Sequence, residues 1–364
     1  MVGPYFGRRS ALATGVTAVS GIASAQTPAG GPLAAGVAGP FETQPWGSAN
    51  RIEGPHYAIE RITFTVEGTL VVGNLFLPNG GVRRPAVAML GPVAFVKEQA
   101  PFGYATRLAR EGIVALVFDP RHHGESGGEP RRLEDGARKA IDLRAALSYL
   151  ATRPETDPDR LGLLGICQGV NWTIAMAAEE PRALRLALVA GHYLTPETAL
   201  MYLGTPENVA ARIARSRAAA ERFRSDGTVE YLRIVQPRAE EPDPGALLTA
   251  LPIHQFYIPW ADRGPFRAYR GLWENRIAAM SEEGIWGHDV SPLMPRITAP
   301  LLMVHAERAA SGPAIPRRLF DLVSGDRKRL VMLGARNQMQ FYEDPLTLDL
   351  VVPLLARHFE GGSA

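Results

Sequence analysis

The pentapeptide Gly165-Ile166-Cys167-Gln168-Gly169 constrains this chain more than any other stretch. It follows the apolar run Leu161-Gly162-Leu163-Leu164 and precedes a helix-like segment from Val170 to Glu179. Strand, G-x-nucleophile-x-G, helix describes a sharp turn that lifts one side chain off the end of a sheet. The two glycines have a steric reason. A side chain at either position would collide with the neighbouring strand or helix, and the central residue is held in a strained conformation. Cys167 is the single cysteine of the chain, so no intrachain disulfide and no multi-cysteine metal site can form. At the start of a helix its thiolate is expected to be favoured. The competing reading is a small buried core residue.

Around this turn, strands and helices alternate from Tyr57 onward. Residues 62–66 and 70–77, separated by Glu67-Gly68, read as an antiparallel hairpin. Apolar runs at 85–90, 113–118, 161–164, 186–190, 300–305 and 329–333 read as buried strands. Helices are predicted over 104–111 and about 346–359, and Ala140, Leu143, Leu147 and Leu150 share one helical face. A hairpin followed by alternating strand and helix predicts an α/β fold: a mostly parallel, eight-stranded sheet with helices on both faces. The core is expected over 51–192 and 297–364.

Residues 193–296 interrupt the alternation and are too long for a bare loop, so they are expected to form a helical cap over the strand ends. The cap contains an Arg-rich helical segment (Arg212, Arg215, Arg217, Arg222, Arg224), read as a solvated face in preference to an anion site. It also contains Phe256, Tyr257, Trp260, Phe266, Tyr269 and Trp273, which either line an apolar substrate pocket or form the cap's own core.

Residues 1–25 resemble an export signal: Arg8-Arg9, a mildly apolar stretch to Ile22, then Ala23-Ser24-Ala25 before Gln26. The paired arginines suggest the twin-arginine route, and hence a periplasmic or secreted protein. Residues 26–50, rich in Gly, Pro and Ala, read as a linker. The apolar stretch is too short and too rich in small polar residues to span a membrane. A formal net charge of +2 gives no case for nucleic acid. The expected partner is a small-molecule substrate, and a homo-oligomer is left open. No G-x-x-x-x-G-K-S/T, G-x-G-x-x-G or H-E-x-x-H motif is present, so no cofactor and no metal are expected.

From about Tyr57 to the C-terminus the chain resembles the α/β-hydrolases, in particular the dienelactone-hydrolase-like group with a Cys at the elbow and an inserted cap. The resemblance rests on ordered motifs: Leu90-Gly91-Pro92 with Val96-Lys97-Glu98-Gln99, Phe118-Asp119-Pro120-Arg121 with Gly124-Glu125-Ser126-Gly127, Asp142-Leu143-Arg144, the elbow, and Ala190-Gly191-His192-Tyr193. It implies a Cys167 nucleophile and an oxyanion hole from the N–H of Gln168 and of a residue in the loop after Leu90. Pro92 lacks an N–H, which leaves Val93. The acid of such a site follows the seventh strand, where Glu307 is nominated against the reading of a surface carboxylate paired with Arg308.

The resemblance places the general-base His at Gln338, or at Asn337 if the register slips, and neither can shuttle a proton. Three imidazoles are candidate substitutes: His192 at the end of the sixth strand, and His122 and His123 after the fourth, each with the alternative of a structural His. Two functions follow. One is an exported hydrolase or acyl-transfer enzyme acting on an ester, lactone or other activated carbonyl through Cys167. The other is a non-hydrolytic protein of the same fold: a lyase, an isomerase or a binding protein.

Overall fold

The computed structural model describes residues 50–362, apart from 181, 183, 239, 250 and 263–272. The proposed export signal, almost all of the proposed linker, Phe266 and Tyr269 lie outside the described residues.

The sheet is built from β1 (Arg51–Glu53), β2 (Tyr57–Val66), β3 (Thr69–Pro78), β4 (Arg84–Leu90), β5 (Val114–Phe118), β6 (Thr156–Ile166), β7 (Leu184–Val189), β10 (Leu301–His305) and β11 (Lys328–Met332). Its order is β1-β2-β3-β5-β4-β6-β7-β10-β11. From β5 to β11 all neighbours are parallel, whereas β1, β2 and β3 are antiparallel. The eight expected strands are present. The ninth, β1, is three residues long and pairs only with β2 at the sheet edge. Three residues carry no hydrophobic period, so nothing in their sequence announces a strand.

The helices flanking the sheet are α1 (Ala100–Arg110), α2 (Gly136–Thr152), α3 (Gly169–Ala177), α8 (Ala314–Leu322), α9 (Gln340–Glu343) and α10 (Pro345–Phe359). Helices α2 and α3 pack together, and α1 packs with α10, which covers both faces of the sheet. Leu143, Leu147 and Leu150 of α2 are fully buried, as their spacing requires. Asp135 caps α2 by accepting from the Arg138 N–H, and Asp344 caps α10 by accepting from the Thr347 N–H. The fold is that of the α/β-hydrolases.

Between β7 and β10 lie α4 (Pro196–Leu203), α5 (Pro206–Asp226), a two-stranded sheet of β8 (Tyr231–Leu232) and β9 (Ile277–Ala278), α6 (Leu251–Asp262) and α7 (Glu282–Trp286). Thr195 and Thr205 cap α4 and α5, each with proline at the first helical position. The Arg-rich segment is α5, and only part of it meets water as expected. Arg212 and Arg215 turn inward onto Glu282, a fully buried carboxylate, while Arg217, Arg222 and Arg224 pair with Glu283, Glu230 and Glu221. The anion this face binds is the chain's own. Among the described residues no helix is long and apolar enough to cross a membrane.

Parallel strands direct their C-terminal ends to one edge of the sheet, and the crevice there receives ligands in open α/β folds. The elbow sits at that edge, between β6 and α3. A Cβ at Gly169 would stand 2.5 Å from the Gly91 carbonyl oxygen and 2.7 Å from that of Leu90. Both are backbone atoms that cannot swing aside. Gly169→Ala is therefore expected to cost about 1–3 kcal/mol, read as a lower urea midpoint with an unchanged slope.

Candidate active site

Cys167 has φ of +55°. Its conformation is held from both sides: its N–H donates to Val189 O at 3.1 Å, and its carbonyl accepts from the N–H groups of His192 at 3.1 Å and Val170 at 3.3 Å. Around the sulfur stand the Tyr342 hydroxyl, the N–H of Gln168, the Gln338 side chain and the N–H of Val93. The N–H groups of Gln168 and Val93, singled out from the sequence, thus both stand at the thiol.

The thiol itself departs from expectation. Burial pushes it up to about 11, against hydrogen bonding from Tyr342, Gln168, Gln338 and Val93 that favours the thiolate. A helix N-terminus stabilises an anion by only about 0.3–1 kcal/mol. Desolvation of a fully enclosed sulfur is the larger effect here, so the resting group is S–H.

The loop from Gly91 to Gln99 that presents Val93 is fastened by buried acids. The Ala94 N–H, at a residue with φ of +51°, donates to Glu134 Oε2 at 2.9 Å. The Lys97 N–H donates to Asp119 Oδ1 at 2.7 Å. Lys97 Nζ, also buried, meets Asp119 Oδ2 at 2.9 Å, Glu98 Oε1 at 2.8 Å and Glu125 Oε2 at 2.5 Å. Burial disfavours this ammonium, yet the three carboxylates hold its pKa well above the ordinary lysine value. On the opposite side Arg121 binds Asp142 through both its backbone N–H and its Nε, at 2.9 and 2.6 Å. Several residues of the motifs that resembled a family are therefore partners in buried ion pairs.

The inserted segment closes onto this loop. Tyr257 of α6 donates to Val93 O at 3.2 Å and stacks on Trp273 with ring centroids 5.1 Å apart. Phe256 meets the Tyr342 ring edge-on at 4.9 Å. Burial raises the phenol groups of Tyr202, Tyr257 and Tyr342 above their ordinary value. Phe256, Tyr257, Trp260 and Trp273 are buried and packed on one another.

The imidazole candidates are placed elsewhere. His192 reaches the elbow through its backbone, while its buried ring lies tilted against Tyr202 at 4.7 Å and its Nε2 has no hydrogen-bond partner among the described residues. Burial pushes it down to about 4. His122 lies between Pro130 O and Arg138, each at 3.0 Å. His123 binds Leu133 O at 2.9 Å and stands 3.5 Å from Glu134. Burial lowers both. Glu307 is exposed, with its N–H on Gly334 O at 2.9 Å.

Of the two positions considered for the missing base, Gln338 faces the sulfur. Asn337 instead exchanges hydrogen bonds with Gln340 at the start of α9. Tyr342 was not singled out from the sequence. It lies four residues after Gln338, one helical turn away, and that spacing is the signal that could have found it.

The family described as BAAT / Acyl-CoA thioester hydrolase C terminal matches residues 143–256, a segment that includes the elbow. The Pseudomonas aeruginosa protein PA2218 is 26% identical over 82% of this chain and 80% of its own. Its crystal structure superposes with a TM-score of 0.70 at 23% identity, covering 87% of this chain and 98% of that one. GrgF of Penicillium sp., solved as an alpha/beta hydrolase, gives a TM-score of 0.63 at 24% identity over 83% of this chain and 99% of its own. The thiohydrolase aneE of Aspergillus aculeatus is 34% identical, over 32% of this chain and 36% of its own length. The two structures share the fold. Other relatives are named as a thiohydrolase, an acyltransferase and polyketide transferases.

Below about 11 the thiolate is a minority species, so Cys167 alkylation should quicken about tenfold per pH unit from pH 7 upward. A break near pH 8.5, followed by intact mass, would show a thiol that burial does not hold.

Proposed function

We propose that this protein is an acyl-transfer enzyme or hydrolase that takes the acyl group of an activated carbonyl, a thioester or ester, onto Cys167. The observation that carries the reading is the thiol at a left-handed turn with the N–H groups of Val93 and Gln168 beside it. Two backbone donors at such a turn suit the oxyanion of an attacked carbonyl. The partial family match and the names of the relatives support the same class of chemistry.

In this reading Sγ forms a bond to the carbonyl carbon while the carbonyl oxygen moves onto the Val93 and Gln168 N–H groups. Collapse expels the leaving group, which departs with the proton of the thiol. A thiol leaving group makes this an exchange of one thioester for another. Release of the acyl group needs a second nucleophile. Gln338 can neither accept nor return a proton, so water is not activated by a base at that position. Transfer to a better nucleophile than water is favoured over hydrolysis. Neither His192 nor Glu307 is assigned a step: burial makes the first a weak base, with its ring against Tyr202, and the second faces solvent.

The alternative, a non-hydrolytic or binding role, is favoured by the same two features that slow hydrolysis: Gln338 and a thiol that resists ionisation. Intact mass over time separates the readings. The protein mixed with an activated aryl thioester should gain one acyl group, Cys167→Ala should gain none, and the adduct should persist. Gln338→His should shorten its lifetime, by up to about 10²–10⁴-fold for a base that works. No adduct on an intact, folded protein would sink the acyl-transfer reading.

Residues 1–25 are proposed to direct export before this activity. Expression in a bacterium with a twin-arginine pathway should yield a mature chain that begins at Gln26, by N-terminal sequencing. An uncleaved chain retained in the cytoplasm would refute export.

A further inference from the structure

The mechanism above uses two donors on the carbonyl oxygen and leaves the sulfur itself unattended. When that oxygen takes the Val93 and Gln168 N–H groups, neither remains for Sγ. The other groups around the sulfur are Tyr342 and Gln338, and their hydrogen bonds have a direction that can be worked out.

The Gln338 amide is locked. Its Oε1 accepts the Ala310 N–H at 2.9 Å, so this end must be oxygen. Its Nε2 then donates one hydrogen to Ala190 O at 2.7 Å and the other to Tyr342 Oη at 3.1 Å. A flipped amide would set oxygen against the Ala190 carbonyl and N–H against N–H. Both amide hydrogens are therefore committed, and Gln338 has none left for a full bond to sulfur. Tyr342 Oη, already accepting from Gln338, has its own O–H to give. Among the described residues no other acceptor is recorded for it, and the edge-on Phe256 ring helps to fix its plane.

We propose that Tyr342 is a catalytic residue whose O–H donates to Cys167 Sγ and stabilises the attacking and departing thiolate, and that Gln338 is the positioning residue that aims it. The proposal rests on the acyl-transfer reading for its purpose, but not for its test. The two donor sets divide the work. The backbone pair serves the oxygen, and the phenol serves the sulfur. Tyr342 is no base, because burial holds its pKa well above the ordinary phenol value. No proton is transferred to it: during acylation the thiol proton leaves with the departing group, and the Tyr342 O–H bond stays intact. In this arrangement the glutamine does not fail to replace an imidazole. It supports a donor, where an imidazole would have supplied an acceptor.

The test is the rate of Cys167 alkylation by iodoacetamide, read by intact mass from pH 7 to 9.5, which requires no acyl transfer. Tyr342→Phe removes one hydroxyl and keeps the ring. It should lower the rate about tenfold at every pH, equivalent to a thiol about one pH unit harder to ionise. Gln338→Leu should produce a smaller loss in the same direction. In single-turnover acylation, Tyr342→Phe should slow the chemical step and leave the concentration dependence unchanged. Incorporation of 3,5-difluorotyrosine at position 342 makes the phenol a stronger donor with almost no change of shape, and should raise the alkylation rate. This arm remains decisive if Tyr342→Phe fails to fold. Alkylation within twofold of wild type in folded Tyr342→Phe, or no gain from the fluorinated residue, overturns the proposal. Loss of the acyl adduct in wild type would instead count against the acyl-transfer reading.

Discussion

A backbone conformation at Cys167 sets the geometry on which the site depends. With φ of +55°, the chain leaves β6 and enters α3 within two residues, and the side chain is thrown off the end of the sheet. Such a conformation costs a non-glycine residue of order 1–3 kcal/mol and persists only where the surroundings over-determine it. Here the N–H of Cys167 is spent on β7, its carbonyl collects two N–H groups, and a glycine on each side lets strand and helix close in. Relaxing the turn would separate the sulfur from the Gln168 N–H, and the two donors would no longer converge.

The position of the Val93 N–H depends on buried charge. Val93 is an ordinary loop residue, yet its N–H is aimed because its neighbours are held by Glu134, Asp119 and the insertion's Tyr257. Buried ion pairs are not in general a source of stability, since desolvation offsets most of the attraction. Their value at this site is positional. A carboxylate that must receive hydrogen bonds admits few loop conformations, and the loop adopts the one that satisfies Glu134 and Asp119. A second buried pair, Arg121 with Asp142, fastens the turn after β5 to helix α2.

Burial and hydrogen bonding act on the sulfur in opposite directions, and burial prevails in the resting protein. This inverts the expectation drawn from the helix terminus alone. The buried thiol, with Tyr342 and Gln338 beside it, stays protonated. In the acyl-transfer reading proposed above, a carbonyl oxygen takes over the backbone donors while Tyr342 remains with the sulfur.

How much of this was legible in the amino-acid order follows from the range of the interactions. Hydrophobic period and the glycine spacing around Cys167 are local properties, and they sufficed for the sheet and the elbow. Val93 and Gln338 were reached only through the resemblance to a family, with the absence of an N–H on Pro92 selecting Val93 within its loop. Edge strand β1 was not legible, being too short to have a period. Nor was the inward turn of Arg212 and Arg215, since their partner Glu282 lies about seventy residues away in the chain. The protonation of the thiol, the lock on the Gln338 amide and the aim of Tyr342 were decided by tertiary structure alone. Each depends on which atoms exclude water from a point in space and which way a hydrogen faces, and distance along a sequence measures neither.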